Sequence, residues 1–164
     1  MISSSSVPTL VAVTKEAERA LGGRSEVRVE QVPFKVGRER RVSNPAHHTL
    51  VTELRRGLAP QLNDVYLLEP PGLVLLQISG EHFAIEYPDT RFFLVDRGSA
   101  CGTIVAGRRV GGDRQGGRTE LQNGDEIVVG TRRSRYVFRF EVAPDCFTSS
   151  SDHPGSVDRD TAGL

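Results

Sequence analysis

The stretch SGEHFAIEYPDTRFFLVDRGSACGT, residues 79–103, predicts two consecutive strands framed by polar, glycine-containing turns. From Phe83 to Tyr87 every second residue is large and apolar, which is the period of a half-buried strand. The Pro-Asp pair at 88–89 interrupts this pattern, and the apolar run at 92–95 resumes it. Small hydroxyl residues in the flanking turns, Ser79 and Ser99, are typical of the rim of a β-sandwich rather than its core.

Other segments outside this stretch extend the β pattern. Upstream, the glycine and arginine at 37–38 lie at a strand end, and downstream the segment LQNGDEI at 121–127 predicts a hairpin. The 17 Gly and 9 Pro indicate many turns, as in an all-β protein. Further strands are expected at 10–13, 27–37 (where the phase slips near Gln31, which suggests a bulge or a break between two strands), 63–72, 73–79 (apolar without alternation, which fits a buried strand), 126–130 and 135–142.

Four short motifs occur in a fixed order between residues 34 and 142. They are VGRE, S-x-x-H, D-x-G-S-x-x-G-T and L-x-x-G-D-E-I-x-x-G. This ordered set resembles the forkhead-associated (FHA) domain. The resemblance implies an all-β fold, a two-sheet β-sandwich of the SMAD/FHA type, with functional loops at one end that bind phosphothreonine peptides.

Arg38 and Ser79 are the central candidates for phosphate binding. A guanidinium can donate two parallel, charge-assisted hydrogen bonds to a phosphate, and a neighbouring hydroxyl can complete the cradle. The alternatives are an arginine in a surface salt bridge and a serine that caps its own turn. The residues expected to bind the phosphopeptide are Arg38, Ser79, Gly80, Ser99, Ala100, Cys101, Arg132 and Arg133.

The remaining motif residues are expected to support the loops. His82 looks in the family like a structural imidazole that fixes the loop, and Gly102 supplies a backbone geometry that a side chain would obstruct. Thr103 is expected to be a buried hydrogen-bonding residue. The full structural set is Gly37, His82, Asp96, Gly102 and Thr103.

Three positions depart from the family pattern. Gly80 stands where the family often has Arg or Asn, and Ala100 and Cys101 stand where it commonly has a hydroxyl residue followed by Asn. That asparagine normally grips the peptide backbone, and a thiol is a poor substitute. Binding is therefore weaker, or compensated by Arg40, Arg41 and the insertion that follows, or lost.

The 164 residues suffice for one domain with flanking segments. We expect a disordered N-terminus at 1–8, an FHA-like β-sandwich at 9–143 with its motif core at 34–142, and a disordered acidic tail at 144–164. An insertion at about 42–63 follows Arg38. Leu50, Leu54 and Leu58 have helical spacing there, so this segment is either a short amphipathic helix or a mobile loop.

The charge balance argues against nucleic-acid and membrane partners. Lys and Arg total 21, as do Asp and Glu, so the formal net charge is zero. No segment approaches the roughly 18 apolar residues of a membrane span, and the N-terminus lacks the basic region of a secretory signal. Cys101 and Cys146 stand alone, which favours free thiols over a disulfide. The expectation is a soluble, cytoplasmic protein.

Catalysis is not expected. Ser79 or Ser99 with His82 and Asp96 supplies the residue types of a hydrolase triad, but no G-x-S-x-G elbow surrounds either serine. The sequence has no phosphate-binding G-x-x-x-x-G-K motif, and the adjacent His47 and His48 do not suit a metal site. We therefore expect no cofactor and no metal.

These observations predict a signal-transduction module that reads proteins phosphorylated on threonine by a Ser/Thr kinase. The partner would be the kinase itself or one of its substrates. The alternative is a phosphate-independent interaction or assembly module on the same scaffold. Self-binding is a third hypothesis, in which a phosphorylated terminus carrying Thr9, Thr148 or Thr161 occupies the site.

Overall fold

The computed structural model describes residues 7–39, the backbone of 41–44 and 49–52, and residues 63–70, 72–73 and 75–143. Its elements are β1 (Thr9–Ala12), α1 (Lys15–Ala20), β2 (Glu26–Arg28), β3 (Phe34–Arg38), β4 (Arg41–Asn44), β5 (Thr49–Thr52), β6 (Val65–Leu67), β7 (Phe83–Glu86), a 3-10 turn (Pro88–Thr90), β8 (Phe92–Asp96), β9 (Thr103–Val105), β10 (Arg108–Val110), β11 (Gly117–Leu121), β12 (Glu126–Val129) and β13 (Val137–Glu141).

Two sheets form the sandwich. One has six strands in the order β10-β9-β12-β13-β1-β2, and the other has five in the order β11-β8-β7-β3-β6. Neighbouring strands run antiparallel, except that β3 and β6 are parallel. The predicted all-β, two-sheet β-sandwich is therefore confirmed.

The core lies between the inner faces of the two sheets. On β13 the alternation predicted from sequence is observed, since Phe138 and Phe140 are buried while Arg139 is exposed. Strand β7 is buried along both faces, because it lies in the middle of its sheet between β3 and β8. The largest fully buried apolar side chains are Phe83, Phe140, Leu67, Ile78, Ile85, Leu94 and Ile127.

The segment LQNGDEI does not form a hairpin. Strand β11 before it pairs with β8, whereas β12 after it pairs with β9 and β13 in the other sheet. The Asp125 carboxylate accepts the Gln122 N–H at 2.9 Å, which closes the turn locally. The turn thus has local hairpin chemistry, but it carries the chain from one sheet to the other.

The predicted buried strand at 73–79 is also wrong. In the part of this segment that the structure describes, no residue belongs to a strand. Among the described large apolar residues of the segment, Leu73, Leu75 and Leu76 are exposed and Ile78 is buried. The segment belongs to a long connection between β6 and β7.

The insertion after Arg38 begins as a two-stranded sheet of β4 and β5, in which Asn44 pairs with Thr49. Leu50 lies in β5, so the helical interpretation is wrong at this residue. Leu54 and Leu58 lie outside the described residues. Thr9 begins β1 and pairs with Glu141, so it does not lie in a free N-terminal segment.

Within the described ranges, no helix has the length and apolar character needed to cross a membrane.

Candidate phosphopeptide site

Arg38 ends strand β3, which pairs with β7 on one side and with the edge strand β6 on the other. Its backbone N–H donates a 2.9 Å hydrogen bond to the Ser79 carbonyl, which joins the strand end to the β6–β7 connection. The side chain is half-buried, and its guanidinium makes no hydrogen bond or ion pair with another described residue. The two central candidates from the sequence therefore lie on directly bonded backbone segments.

Gly37 explains why a glycine precedes this arginine. A Cβ at this position would lie 2.0 Å from the Gly80 carbonyl oxygen and 2.7 Å from Asn63 Nδ2. Both distances are far below van der Waals contact, and the first involves backbone. Only a glycine lets the Ser79–Gly80 loop approach the end of β3 this closely.

Ser79 is held through both its backbone and its side chain. Its hydroxyl oxygen accepts the Ala100 N–H at 3.0 Å, which links it to the β8–β9 loop. Its own N–H donates to Nδ1 of His82 at 2.9 Å. The hydroxyl proton makes no hydrogen bond with a described residue and remains a donor for a ligand.

His82 connects the two sheets at this end of the molecule. Its imidazole is fully buried, and Nε2–H donates to the Gly102 carbonyl at 2.8 Å, just before β9. Because Nδ1 accepts the Ser79 N–H, the single ring proton is assigned to Nε2. Burial lowers the pKa of His82, which matches a neutral ring that ties two loops together.

Asn63 is a positioning residue that the sequence reasoning missed. Its amide is almost fully buried, and Nδ2 donates to the Gly80 carbonyl at 2.8 Å. Its Oδ1 accepts a 2.6 Å hydrogen bond from Arg97, which also forms a 2.7 Å ion pair with Glu81. The signal in the sequence was a polar Asn-Asp pair directly before a strand, too common a pattern to single out.

The β8–β9 loop is organised around the Asp96 carboxylate. Oδ2 accepts the N–H groups of Gly98 at 2.9 Å and Ser99 at 3.0 Å, and Oδ1 accepts the Ser99 hydroxyl. The same hydroxyl accepts the Gly102 N–H at 3.0 Å. Ser99 is 0% exposed, so its side chain supports the loop from inside and does not reach the surface where a peptide would bind.

Gly102 and Thr103 follow this loop into β9. Gly102 has a φ of 77°, and a Cβ there would lie 2.9 Å from the Gly111 carbonyl oxygen, so the predicted need for glycine is met. Thr103 is fully buried as expected. Its hydroxyl, however, has no hydrogen-bond partner among the described residues, which differs from the expected role.

Cys101 carries a free, half-buried thiol. The thiol lies 3.6 Å from the Leu76 carbonyl, to which it donates. It is thus directed at the protein's own backbone, while the neighbouring Ala100 is exposed. Cys146 lies outside the described residues.

The β12–β13 loop brings further arginines to the same end. Arg132 and Arg133 are exposed, and the Arg132 guanidinium donates to the Gly107 carbonyl at 3.4 Å. Arg135 forms a 3.5 Å ion pair with Glu16. Thr131 donates its N–H and its hydroxyl to Gln77 Oε1, each at 2.9 Å. These bonds fasten the β12–β13 loop to the β6–β7 connection that carries Ser79.

The residues considered for a hydrolase triad do not form one. Both ring nitrogens of His82 bond to backbone groups, so neither Ser79 nor Ser99 has its hydroxyl hydrogen-bonded to the imidazole. Within the described ranges, no group of three or more His, Cys, Asp or Glu side chains could hold a metal ion. His47 and His48 lie outside those ranges.

The structure thus defines a β-sandwich with a cluster of loops at one end that hydrogen bonds hold together. A family model, the FHA domain, matches residues 61–130 of the chain. The family resemblance drawn from the motifs is therefore confirmed over these residues, which include every motif residue from Ser79 to Thr103. Gly37 and Arg38 precede the matched range and join it through the pairing of β3.

Two solved structures support the same fold, and a third match is weaker. The FHA-1 domain of Rv1747 from Mycobacterium tuberculosis is 18% identical with a TM-score of 0.50, over 85% of this chain and 99% of that one. The yeast Pml1 splicing factor is 17% identical with a TM-score of 0.50, over 84% and 80%. Mycobacterium tuberculosis EmbR, solved with a low-affinity phosphopeptide, is 18% identical with a TM-score of 0.49. The match to EmbR covers 84% of this chain but only 24% of the EmbR chain.

The comparison with curated proteins found no match. What the family match supports in general terms is an interaction module of the phosphopeptide-binding class.

Proposed function

We propose that this protein binds proteins phosphorylated on threonine, with the phosphate held by Arg38 and Ser79. The observation that carries the proposal is the 2.9 Å bond between the Arg38 N–H and the Ser79 carbonyl. This bond ties the two residues together through their backbones. The Arg38 guanidinium has no hydrogen-bond or ion-pair partner among the described residues, and the Ser79 hydroxyl donates to none of them. A cation and a neutral donor on fixed backbone suit a dianionic phosphate.

The surrounding loops extend the proposed contact surface. Gly80 and Cys101 would contribute through backbone, since neither offers a suitable side chain, and Ala100 would line the surface. Ser99 would act only by supporting the loop. The exposed Arg132 and Arg133 would favour an acidic residue in the peptide. The protein would act without catalysis, as a reader of Ser/Thr kinase targets.

A phosphothreonine peptide library tests the proposal against wild type and Arg38→Ala. Each charge-assisted hydrogen bond contributes about 1.5–3 kcal/mol, so Arg38→Ala is expected to weaken selected phosphopeptides by at least about tenfold. Arg139→Ala is the matched control, because Arg139 is an exposed arginine on β13 that pairs with Glu141. Equal binding by wild type and Arg38→Ala would overturn the assignment of the site.

The orientation of the Cys101 side chain favours one alternative function, a phosphate-independent interaction module on the same scaffold. The thiol that replaces the family's asparagine is directed at the Leu76 carbonyl, so the usual side-chain grip on a peptide backbone is missing. Paired phosphorylated and unphosphorylated forms of each selected peptide separate the two functions. Indifference to the phosphate would favour the alternative.

Self-binding is the remaining variant of the proposal, with Thr148 or Thr161 as the phosphorylated residue. Both lie outside the described residues. Thr9 is a poorer candidate, because it lies in β1 and pairs with Glu141 of β13 and Arg28 of β2. Kinase treatment of the protein, followed by measurement of its association state and its affinity for a library-selected peptide, tests this variant.

A further inference from the structure

Three leucines are exposed in the connection between β6 and β7. Leu73 is 45% exposed, Leu75 61% and Leu76 43%. Among the described residues, the other large apolar side chains exposed to a comparable degree are Val13 and Val32. We call Leu73, Leu75 and Leu76 the leucine patch.

The backbone beneath the leucine patch is fixed by hydrogen bonds. The Glu69 carboxylate accepts the N–H of Gln77 at 2.7 Å and that of Ile78 at 3.2 Å. Ile78 is buried in the core and anchors the end of the segment. The segment is therefore held at its C-terminal end by the burial of Ile78 and by the Glu69 carboxylate, while its leucines are exposed.

The same segment is bonded to the loops of the candidate site. Gln77 accepts two hydrogen bonds from Thr131 in the β12–β13 loop, and the Leu76 carbonyl accepts the Cys101 thiol in the β8–β9 loop. Ser79 follows two residues after Gln77. The leucine patch is thus continuous with the surface that would carry the phosphopeptide.

We propose that the leucine patch binds an aliphatic side chain of the same threonine-phosphorylated partner whose phosphate is held by Arg38. This inference rests on the proposed function. Once the phosphate is bound, a nearby side chain has a high effective concentration, so a small apolar contact adds useful affinity. A dimer would need roughly 800 Å² buried on each partner, and three leucine side chains supply only a fraction of that.

The test uses the phosphothreonine library and the full 164-residue chain. Wild type is expected to select a Leu, Ile, Val or Met at one position near the phosphothreonine. The double variant Leu75→Ser/Leu76→Ser should lose this preference and bind the selected peptide roughly tenfold more weakly. Val32→Ser is the matched control, because Val32 is an exposed aliphatic residue at the far end of β3 from Arg38.

A second peptide makes the test specific. With the selected aliphatic residue replaced by Ser, wild type and the double variant are expected to bind equally, because the two changes remove the same contact.

If Arg38→Ala abolishes binding but the leucine variant binds both peptides like wild type, the leucine inference is overturned and the proposed function stands. If wild type binds no phosphopeptide, both are overturned. An effect of the leucine variant on self-association alone, or on binding to phosphatidylcholine vesicles alone, would overturn the inference in favour of a second copy or a lipid surface.

Discussion

Gly37 is the residue whose identity the local geometry constrains most tightly. Its missing side chain lets the Gly80 carbonyl oxygen approach to 2.0 Å from where a Cβ would stand. The polypeptide on both sides of this contact is fixed, by the pairing of β3 on one side and by the Asn63 hydrogen bond on the other. Any side chain must displace the loop that carries Ser79.

Gly37→Ala is therefore expected to impair both stability and phosphopeptide binding. Forcing a methyl group into a packed region costs about 1–3 kcal/mol, and the displaced Ser79 should weaken phosphopeptide binding beyond detection. Urea unfolding and titration with a library-selected phosphopeptide measure the two effects.

Gly124→Ala is the control for this substitution. Gly124 has a φ of 88° and open space around its Cβ position, and it lies in the turn that crosses between the sheets, at the opposite end from Arg38. Its substitution should cost about 1–2 kcal/mol of unfolding free energy from backbone strain, with unchanged peptide affinity in the folded protein. Normal binding by Gly37→Ala would show that the loop tolerates the shift and that its position does not matter for the ligand.

Among the elements, the β8–β9 loop behaves as a small unit built on Asp96. The Ser99 hydroxyl both donates to Asp96 and accepts the Gly102 N–H, so it closes the loop at its base. Ser99 is fully buried whereas Ser79 is not, although both serines flank the β7–β8 pair in the sequence. A hydroxyl flanking a strand can face inward or outward, and only the tertiary packing decides which.

Ser99→Ala distinguishes a supporting role from direct contact. Leaving the buried Asp96 oxygen and Gly102 N–H without this partner should lower the free energy of unfolding by about 1–3 kcal/mol. Peptide affinity should change less than in Ser79→Ala when both are measured well below the unfolding midpoint. A stable Ser99→Ala variant with binding reduced more than in Ser79→Ala would contradict the supporting role.

The same contrast between local and tertiary signals explains which elements could be predicted from sequence. Alternating apolar residues identified β13, because its pattern follows directly from which side faces the core. They also located β7, although this strand is buried on both faces and not half-buried as its alternation predicted. The hairpin predicted at 121–127 was wrong because an Asn-Gly pair closes a tight turn whether the next strand joins the same sheet or the opposite one. The buried strand predicted at 73–79 was wrong because apolar composition alone does not distinguish a buried strand from an exposed loop.

The candidate site was predictable where short motifs carry a specific chemistry. Arg38 and Ser79 could be proposed together because their order along the chain resembles a known family, and the structure bonds their backbones directly. Asn63 could not be foreseen, since its role depends on a contact with Gly80 across a sheet and a third partner in Arg97. No local sequence pattern predicts that an asparagine will be buried in such a role.

At the scale of the whole molecule, the His82 imidazole joins the two sheets at the binding end. It lies at the start of β7 in one sheet and bonds to Gly102 at the start of β9 in the other. Protonation would place a second N–H on Nδ1, facing the Ser79 N–H that it now accepts. The folded state therefore disfavours the imidazolium, in agreement with a pKa lowered by burial.

This pKa gives the molecule an expected acid sensitivity. The unfolded chain takes up the proton near the ordinary histidine pKa of 6.5, whereas the folded protein resists protonation because the ring is buried. The contribution of His82 to stability is thus complete above pH 6.5 and is lost progressively as the pH falls below it, down through the lowered pKa of the folded state. Urea unfolding between pH 8 and pH 5, without peptide, measures this loss and avoids the protonation of phosphate near pH 6.

His82→Gln is the variant that isolates the effect. It keeps a polar side chain but does not titrate, so it should be less stable than wild type at pH 8 and lose less stability between pH 7 and pH 5. Asp and Glu carboxylates in general have pKa values of about 4 in an unfolded chain, so their contribution falls mainly below this window. If wild type and His82→Gln lost the same free energy of unfolding over this range, protonation of the His82 imidazole would not be the cause of the acid sensitivity.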